Sequence, residues 1–425
     1  MKFTPYWLDT APEGPDRSRT EIGGHVDVAI IGAGLTGLSA ALHLARKGAN
    51  VHVFEKETVG FGASGRNGGM ATMGLSIGIR DAVSRYGFDT AKAYLLAYHD
   101  AVDTIEKLVN DEGIDCDFAR TGKLILASKP AHVEGLRKTH AIMSGRLGVE
   151  TRLIAKSEIH SEIGSDRFHG GMVDARSAGL HVGKFTKGLA EAAARIGVII
   201  HEKAMVEKVS RLDGTRHELV TPRGTVQADQ VLVATSGYTS RPFRWHQVRI
   251  APLGSFIIVT EPLGKDVCDM LLPNRRMASN TLNLLNYFRI TPDERLLFGG
   301  RARFAMSNQQ SDAKSGRILR KAMTEIFPQL TNTRVDYCWG GLVDMSMDRM
   351  VHAGEQNGLF YSLGYSGHGV QMATHMGKQM ADYMNGTPTA NPWRDLPFRR
   401  IPGHFGPPWF LPFAGGYYKF KDLIK

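Results

Sequence analysis

Cysteine is almost absent. Cys116, Cys268 and Cys338 are the only three in 425 residues. They are odd in number, far apart and without a C-x-x-C pair, which excludes a disulfide framework and fits a reducing cytoplasm. No apolar run approaches the roughly 18 residues of a membrane span. Met1 to Gly14 carry no apolar core followed by a small-residue cleavage site, so no secretory signal is expected. Lysine and arginine are in excess but form no long basic block, which argues against a nucleic-acid partner. No Ser/His/Asp array and no paired carboxylates stand out, and no internal repeat is visible.

What is present is an ordinary globular balance, 42% hydrophobic and 22% charged. The length suggests two or three domains. The net charge of +10 with a pI near 9.4 draws anions toward the chain. An acidic substrate or a cofactor phosphate fits this charge; so does simple solubility.

Residues 1–23 read as an irregular N-terminal arm containing three prolines. Val26 to Ile31 is a nearly continuous apolar run, the pattern of a buried parallel strand. A Gly-rich turn, a helical stretch from Leu38 to Lys47 and a second strand ending at Phe54 complete a βαβ unit of about thirty residues. Residues 60–79 are too glycine-rich for regular structure. A long amphipathic helix follows, with Asp89 as its expected N-cap. Strands are expected near 122–128, 198–201, 228–237 and 359–364, and a helix over 184–196. From 248 to 305 the pattern turns to strands joined by tight turns, an antiparallel sheet. Residues 391–425 hold six prolines, nine aromatics and six basic against two acidic residues. They read as a strap across the protein's own surface, or as a contact for a membrane or partner subunit.

Gly32-Ala33-Gly34-Leu35-Thr36-Gly37 is G-x-G-x-x-G in its required context, after a strand and opening a helix. Gly32 makes the tight turn, Gly34 lets the backbone approach a pyrophosphate, and Gly37 lets helix and strand pack closely. The helix N-terminus offers N–H groups to phosphate. Glu55, with Lys56 beside it, ends the second strand, where it can accept hydrogen bonds from ribose hydroxyls. The motif alone does not separate FAD from NAD.

With GFGASGRNGG at 60–69, ADQVLVATSG at 228–237, CWGGLVDMSMDR at 338–349 and GYSGHGVQMATHMG at 364–377, the chain resembles the FAD-dependent amine and amino-acid oxidoreductases related to D-amino-acid oxidase. It is most similar to the γ-glutamylputrescine oxidase branch, with sarcosine and glycine oxidases as cousins. The resemblance implies an α/β fold: a discontinuous Rossmann-like FAD-binding domain (24–80, 166–240, 340–388) plus an α+β substrate domain with an antiparallel sheet (81–165, 241–339). Residues 389–425 form the strap. It further implies that Ser64, Arg66, Asn67 and Gly68 reach the flavin and its pyrophosphate. Val206 contacts the adenine, Gly237 belongs to the cofactor site, and Gly367, Gly369, Val370 and Gln371 lie at the flavin edge. His368 stabilises charge there. Tyr287 and Arg289, two apart on one strand, lie on one face of the substrate wall. Tyr365 and Gln371 complete the substrate site.

Two carboxylate anchors of the family are missing. Val343 stands where glycine and D-amino-acid oxidases resemble W-x-G-L-R, and Gln371 stands where sarcosine oxidases place lysine. The oxygen-activating lysine of the latter falls near Leu297. Arg289, Arg301 or Arg303 is expected to hold a carboxylate instead. The cysteines do not match a covalent flavin site, so FAD is expected to be non-covalent. The implied activity is oxidation of the C–N bond of a small amine or N-substituted amino acid (an acidic secondary amine, a γ-glutamyl amine or an iminodiacetate-like compound) by hydride transfer to the flavin, imine hydrolysis and reoxidation by O2 to give H2O2. The alternatives are a dehydrogenase that passes electrons to a quinone or carrier protein, and a non-catalytic flavin-binding subunit. An oligomer is possible.

Overall fold

In the computed structural model, the apolar run after the arm becomes the middle of a sheet. The described residues are 1–300, 309–387, 392–406, 409–411 and 413. Strand His25–Ile31 lies between Gly224–Val233 and Val51–Phe54, parallel to both. The sheet continues outward to Ile199–His201 on one side, and to Leu359–Leu363 and then His352–Gln356 on the other. Burial on both faces explains why these strands read as continuous hydrophobic segments. A hairpin, Lys208–Asp213 and Arg216–Thr221, pairs with the first half of Gly224–Val233.

The second sheet has eight strands, in the order Val335–Ser346, Ile250–Thr260, Leu296–Gly300, Asn286–Ile290, Met277–Asn280, Lys123–Leu126, Gly171–Asp174, Thr151–Ile154. It is antiparallel except where Met277–Asn280 runs parallel to Lys123–Leu126. Two expected domain boundaries shift accordingly. Gly171–Asp174 pairs with Lys123–Leu126 in the second sheet, so residue 166 does not begin the dinucleotide domain. Val335–Ser346 pairs with Ile250–Thr260 along its whole length, so residue 340 falls inside a second-sheet strand.

Helix Leu35–Ala45 is crossed by helix Gly369–Met384 at very close range. A Cβ on Gly377 would meet the Thr36 carbonyl oxygen at 2.5 Å and Ser39 Cβ at 2.7 Å. The long helix runs Phe88–Glu112 and is capped by Gly87, φ +80°; Asp89 is in its first turn rather than at the cap. Helix Pro130–Leu147 was not expected. It buries only Leu136, Met143 and Leu147, too thin a stripe to register as periodicity.

The N-terminal arm is not irregular throughout. Tyr6–Thr10 is a short helix. Trp7 is fully buried, its indole N–H donates to the Asn67 carbonyl at 2.7 Å, and its ring meets His181 edge-on at 4.8 Å. Near the other end, Trp393 is buried and stacks on Tyr94 at 5.4 Å, and Phe398 stacks on His352 at 4.2 Å. Phe405, Trp409 and Phe413 are exposed. Among the described residues no helix is long and apolar enough to cross a membrane.

Trp7 joins the arm to the loop at Asn67 and to residues 181–183, so its loss empties a buried site. Trp7→Ala is expected to cost about 3–5 kcal/mol of unfolding free energy. Trp7→Phe should cost less. Denaturant titration checks both.

Candidate active site

The first strand ends in a turn that only glycine fits. Gly32 has φ +109°, and a Cβ there would lie 2.8 Å from the Ala234 carbonyl oxygen. A Cβ on Gly37 would lie 2.0 Å from the Gly32 oxygen, so helix Leu35–Ala45 rests directly on the turn. Gly34 caps that helix, and the Ser64 hydroxyl accepts the Leu35 N–H at 2.9 Å. That oxygen stands where the helix presents its positive end, the natural seat of a phosphate oxygen. Glu55 accepts the Ala33 and Glu57 N–H groups, each at 2.9 Å, one on each carboxylate oxygen. Each oxygen keeps a lone pair for a hydroxyl. Burial raises the Glu55 pKa, with the two backbone N–H groups pulling the other way. Lys56, Met205 and Val206 line the same end of the cavity.

The Gly-rich loop is held by its own polar side chains. Arg66 donates from Nε to the Phe61 carbonyl at 2.7 Å and from Nη1 to the Gly340 carbonyl at 3.1 Å. Asn67 donates to the Ala63 and Ser64 carbonyls and accepts the Gly69 N–H. Both residues border the cavity, and these bonds hold their side chains against backbone there. Gly68 is also in the wall, where a Cβ would meet the Tyr287 ring at 2.9 Å.

At the far end, residues 364–369 form a tight turn into helix Gly369–Met384. Gly367 has φ +93°, and His368 is the N-cap residue. Gly367, His368, Gly369 and Val370 line the cavity. The His368 ring lies edge-on to Tyr98 at 5.7 Å. Tyr365 also touches the cavity, but its hydroxyl bonds Thr36 at 2.7 Å and Ser362 at 2.8 Å. Its expected substrate contact is therefore not through that hydroxyl. Gln371 is fully buried and outside the cavity wall, its amide donating to the Thr72 carbonyl at 2.5 Å. Gly237 also stays outside the wall, packed beneath Leu342, while its neighbours Ser236 and Tyr238 line it.

Asp344 is the residue that sequence reading missed here. It lies on strand Val335–Ser346, is buried, and accepts the Gly364 N–H at 2.8 Å. Burial pushes its pKa up to about 6, against the pull of hydrogen bonds from Gly364, Tyr365 and Ser236. Ser236 has φ +47°. This carboxyl ties the second sheet to the turn that carries His368.

The inner face of the second sheet closes the cavity, whose volume is about 600 Å³. Tyr287, Ser255, Ser279, Leu285 and Lys123 belong to this wall. The Tyr287 hydroxyl lies 3.3 Å from Ser255 Oγ, and a Cβ on Gly299 would collide with its ring. Arg289 does not serve as expected. It is buried outside the cavity wall, its Nη1 donating to the Gly69 carbonyl and, at 3.2 Å, to the Leu180 carbonyl. Burial lowers its pKa to about 10. Alternation correctly places it on the face of Tyr287, but Gly69, Gly179 and Trp7 cover it. Arg301 and Arg303 lie outside the described residues. Arg349, φ +61°, at the end of the 338–349 block, and Lys123, which no motif had marked, are further cations in the wall. No cysteine lines the cavity among the described residues; Cys338 is buried with its Sγ 3.2 Å from the Asp312 carbonyl.

A cradle for a pyrophosphate at one end of a cavity, and a sheet-walled chamber at the other, define a two-part dinucleotide-dependent oxidoreductase. The glycines leave room for backbone and phosphate only, and Glu55 is placed for a ribose, so the residues present fit FAD. The chain belongs to the family of FAD-dependent oxidoreductases described as DAO, whose pattern it matches over residues 27–383. It is 35% identical over 368 residues to the "Probable oxidoreductase OrdL" of Haemophilus influenzae, covering 85% of this chain and 83% of that one. It is 31% identical to the γ-glutamylputrescine oxidoreductase of Escherichia coli, over 94% of this chain and 93% of the other. Among solved structures, glycine oxidase of Geobacillus kaustophilus superposes with a TM-score of 0.75 at 21% identity, covering 89% of this chain and 99% of that one.

Two outcomes are expected. Gly34→Val should abolish flavin retention, since its Cβ would fall 2.8 Å from Ser64 Oγ and obstruct the phosphate seat. FAD titration followed by gel filtration reads this directly, and acid precipitation of wild type should leave all the flavin in the supernatant. The second concerns Asp344. Its folded pKa of about 6 exceeds the unfolded value, so the stability it contributes is full below about pH 4 and is lost as pH rises to about 6. Asp344→Asn has no such loss. Its unfolding free energy relative to wild type should rise by on the order of 3 kcal/mol across that window.

Proposed function

We propose that the protein oxidises the C–N bond of a small amine or N-substituted amino acid that carries a carboxylate. The observation behind this reading is the single continuous cavity. It begins at the phosphate seat beside Glu55 and ends against Tyr287 and Ser279. FAD, when bound, supplies the hydride acceptor. The chain's residues supply position and environment. The sheet forms one wall of the chamber, where Tyr287, Ser255 and Ser279 offer hydroxyls that orient a polar substrate. The turn at 367–369 presents the positive end of helix Gly369–Met384 to the far end of the cavity, where negative charge is stabilised.

The amine enters uncharged and loses a hydride from the carbon next to nitrogen. Water then adds to the resulting imine, giving a carbonyl compound and a smaller amine. With O2 as acceptor, the balance is amine, O2 and water to carbonyl compound, amine and H2O2. The similarity to γ-glutamylputrescine oxidoreductase supports an amine substrate, and the net charge of +10 supports an acidic one. A second reading sends the electrons to a quinone or carrier protein. The exposed Phe405, Trp409 and Phe413 favour it as a contact surface.

The test is a substrate panel on the FAD-loaded protein: a γ-glutamyl amine, iminodiacetate, a plain diamine and simple α-amino acids. Peroxide is measured in air, and dye reduction without oxygen. The acidic amines should give the highest kcat/KM with one peroxide per turnover. Dye reduction without peroxide would move the reading to the dehydrogenase, and no turnover of any amine would end it.

A further inference from the structure

We propose that Lys123 anchors the anionic end of the substrate in the chamber beneath the second sheet. The inference rests on the amine-oxidation reading and names the side chain that selects its substrate class.

Lys123 opens the strand Lys123–Leu126, whose side chains alternate sharply. Leu124 and Leu126 are fully buried in the second hydrophobic core, whereas Lys123 turns the other way and forms part of the cavity wall. Its strand neighbours place it among the polar groups of the chamber. Met277 lies beside Lys123, Ser279 beside Ile125, and Tyr287 beside Ser279. Two strand spacings across and two residues along, roughly 12 Å in all, therefore separate the backbones of Lys123 and Tyr287. That gap accommodates a small substrate between the lysine and the phenol.

The ammonium forms no ion pair or hydrogen bond with any described residue. Asp174 stands opposite on the adjoining strand and attracts the ammonium, but its hydrogen bonds go to the Ser177 hydroxyl at 2.6 Å and the Arg176 N–H at 2.9 Å, so no direct contact to Lys123 is made. A cation in such a wall is costly until an anion meets it, and burial accordingly lowers the Lys123 pKa. A carboxylate arriving in the chamber supplies the missing partner.

The other cations of the wall are placed or occupied differently. Lys56 is at the dinucleotide end beside Glu55. Arg66 is bonded to two carbonyls. Arg349 follows strand Val335–Ser346, an edge of the sheet five strands from that of Lys123. Arg289, one of the three expected anchors, is sealed behind Gly69 and Trp7, and the other two, Arg301 and Arg303, lie outside the described residues. Lys123 thus takes the role that Val343 and Gln371 leave open, from a different strand.

The test compares wild type with Lys123→Met, which keeps length and loses charge, and Lys123→Arg, which restores charge. All three are used as FAD-loaded protein. Calorimetry with glutarate measures anion binding without turnover, and steady-state kinetics compare a γ-glutamyl amine with a plain diamine. Lys123→Met should raise KM for the γ-glutamyl amine and Kd for glutarate on the order of a hundredfold. Its kcat should stay within about threefold, the diamine should be unaffected, and Lys123→Arg should recover most of the loss. Equal losses on both amines would make Lys123 a structural residue. A fall confined to kcat would make it part of the chemistry. Unchanged constants, or no glutarate binding to wild type, would equally overturn the proposal. If no amine is turned over, the functional reading alone fails, and glutarate binding still decides the role of Lys123.

Discussion

Three backbone segments touch at one place with no room for a side chain between them. Gly37 presses helix Leu35–Ala45 onto the turn at Gly32, and Gly377 presses the last long helix onto the first. The first contact aims a helix N-terminus at the phosphate seat. The second fixes helix Gly369–Met384, whose own N-terminus then opens onto the far end of the same cavity. Two positive helix ends, drawn from opposite parts of the chain, are thereby held along one cofactor-sized channel. Side chains larger than hydrogen at either contact would spread the helices and lengthen the channel.

The chamber is assembled by polar groups bonded to backbone rather than to one another. Asp344 holds the His368 turn by its N–H groups. Arg66 grips the Gly340 carbonyl, and Arg289 grips those of Gly69 and Leu180. Arginine suits this work because its fork of donors satisfies several carbonyls at once and stays charged when desolvated. The consequence is that Arg66 and Asn67 brace the Gly-rich loop, while Ser64 of the same loop stands at the phosphate seat. Facing the cavity are hydroxyls, phenols, an imidazole, the Glu55 carboxylate and the cations Lys56, Lys123 and Arg349.

How much of this was visible beforehand follows from distance along the chain. The strand, Gly-rich turn, helix and Glu55 lie within about thirty residues, and each constrains the next, so their roles could be read directly. The His368 turn was legible for the same reason. Arg289 was misread because alternation says which face a side chain takes but not what covers that face. The cover comes from Trp7, Gly69 and Gly179, all remote in sequence. Lys123 sits in a strand with no local mark of function, and Asp344, though inside the 338–349 block, has no role there that sequence alone assigns. Their importance comes only from register, which pairs Lys123 with Asp174 and Met277 and sets the strand of Asp344 along Ile250–Thr260. Gly171–Asp174, a strand of four residues, carries too little pattern to announce its sheet.

The seating of Trp7 also sets an order of events. Its neighbours lie at Asn67, His181, Gly183 and Arg289, and the arm beside it pairs Lys2 with Tyr337. Those partners span nearly the whole chain, and a protein is synthesised from its N-terminus. The arm emerges from the ribosome long before Tyr337 exists to receive it. Until then the Trp7 indole and the Tyr6 ring lack their later covers, including Tyr337, and stand available to chaperones or to another nascent chain. Residues made early are thus among the last to dock, and their docking reports that the strands of Arg289 and Tyr337 have formed.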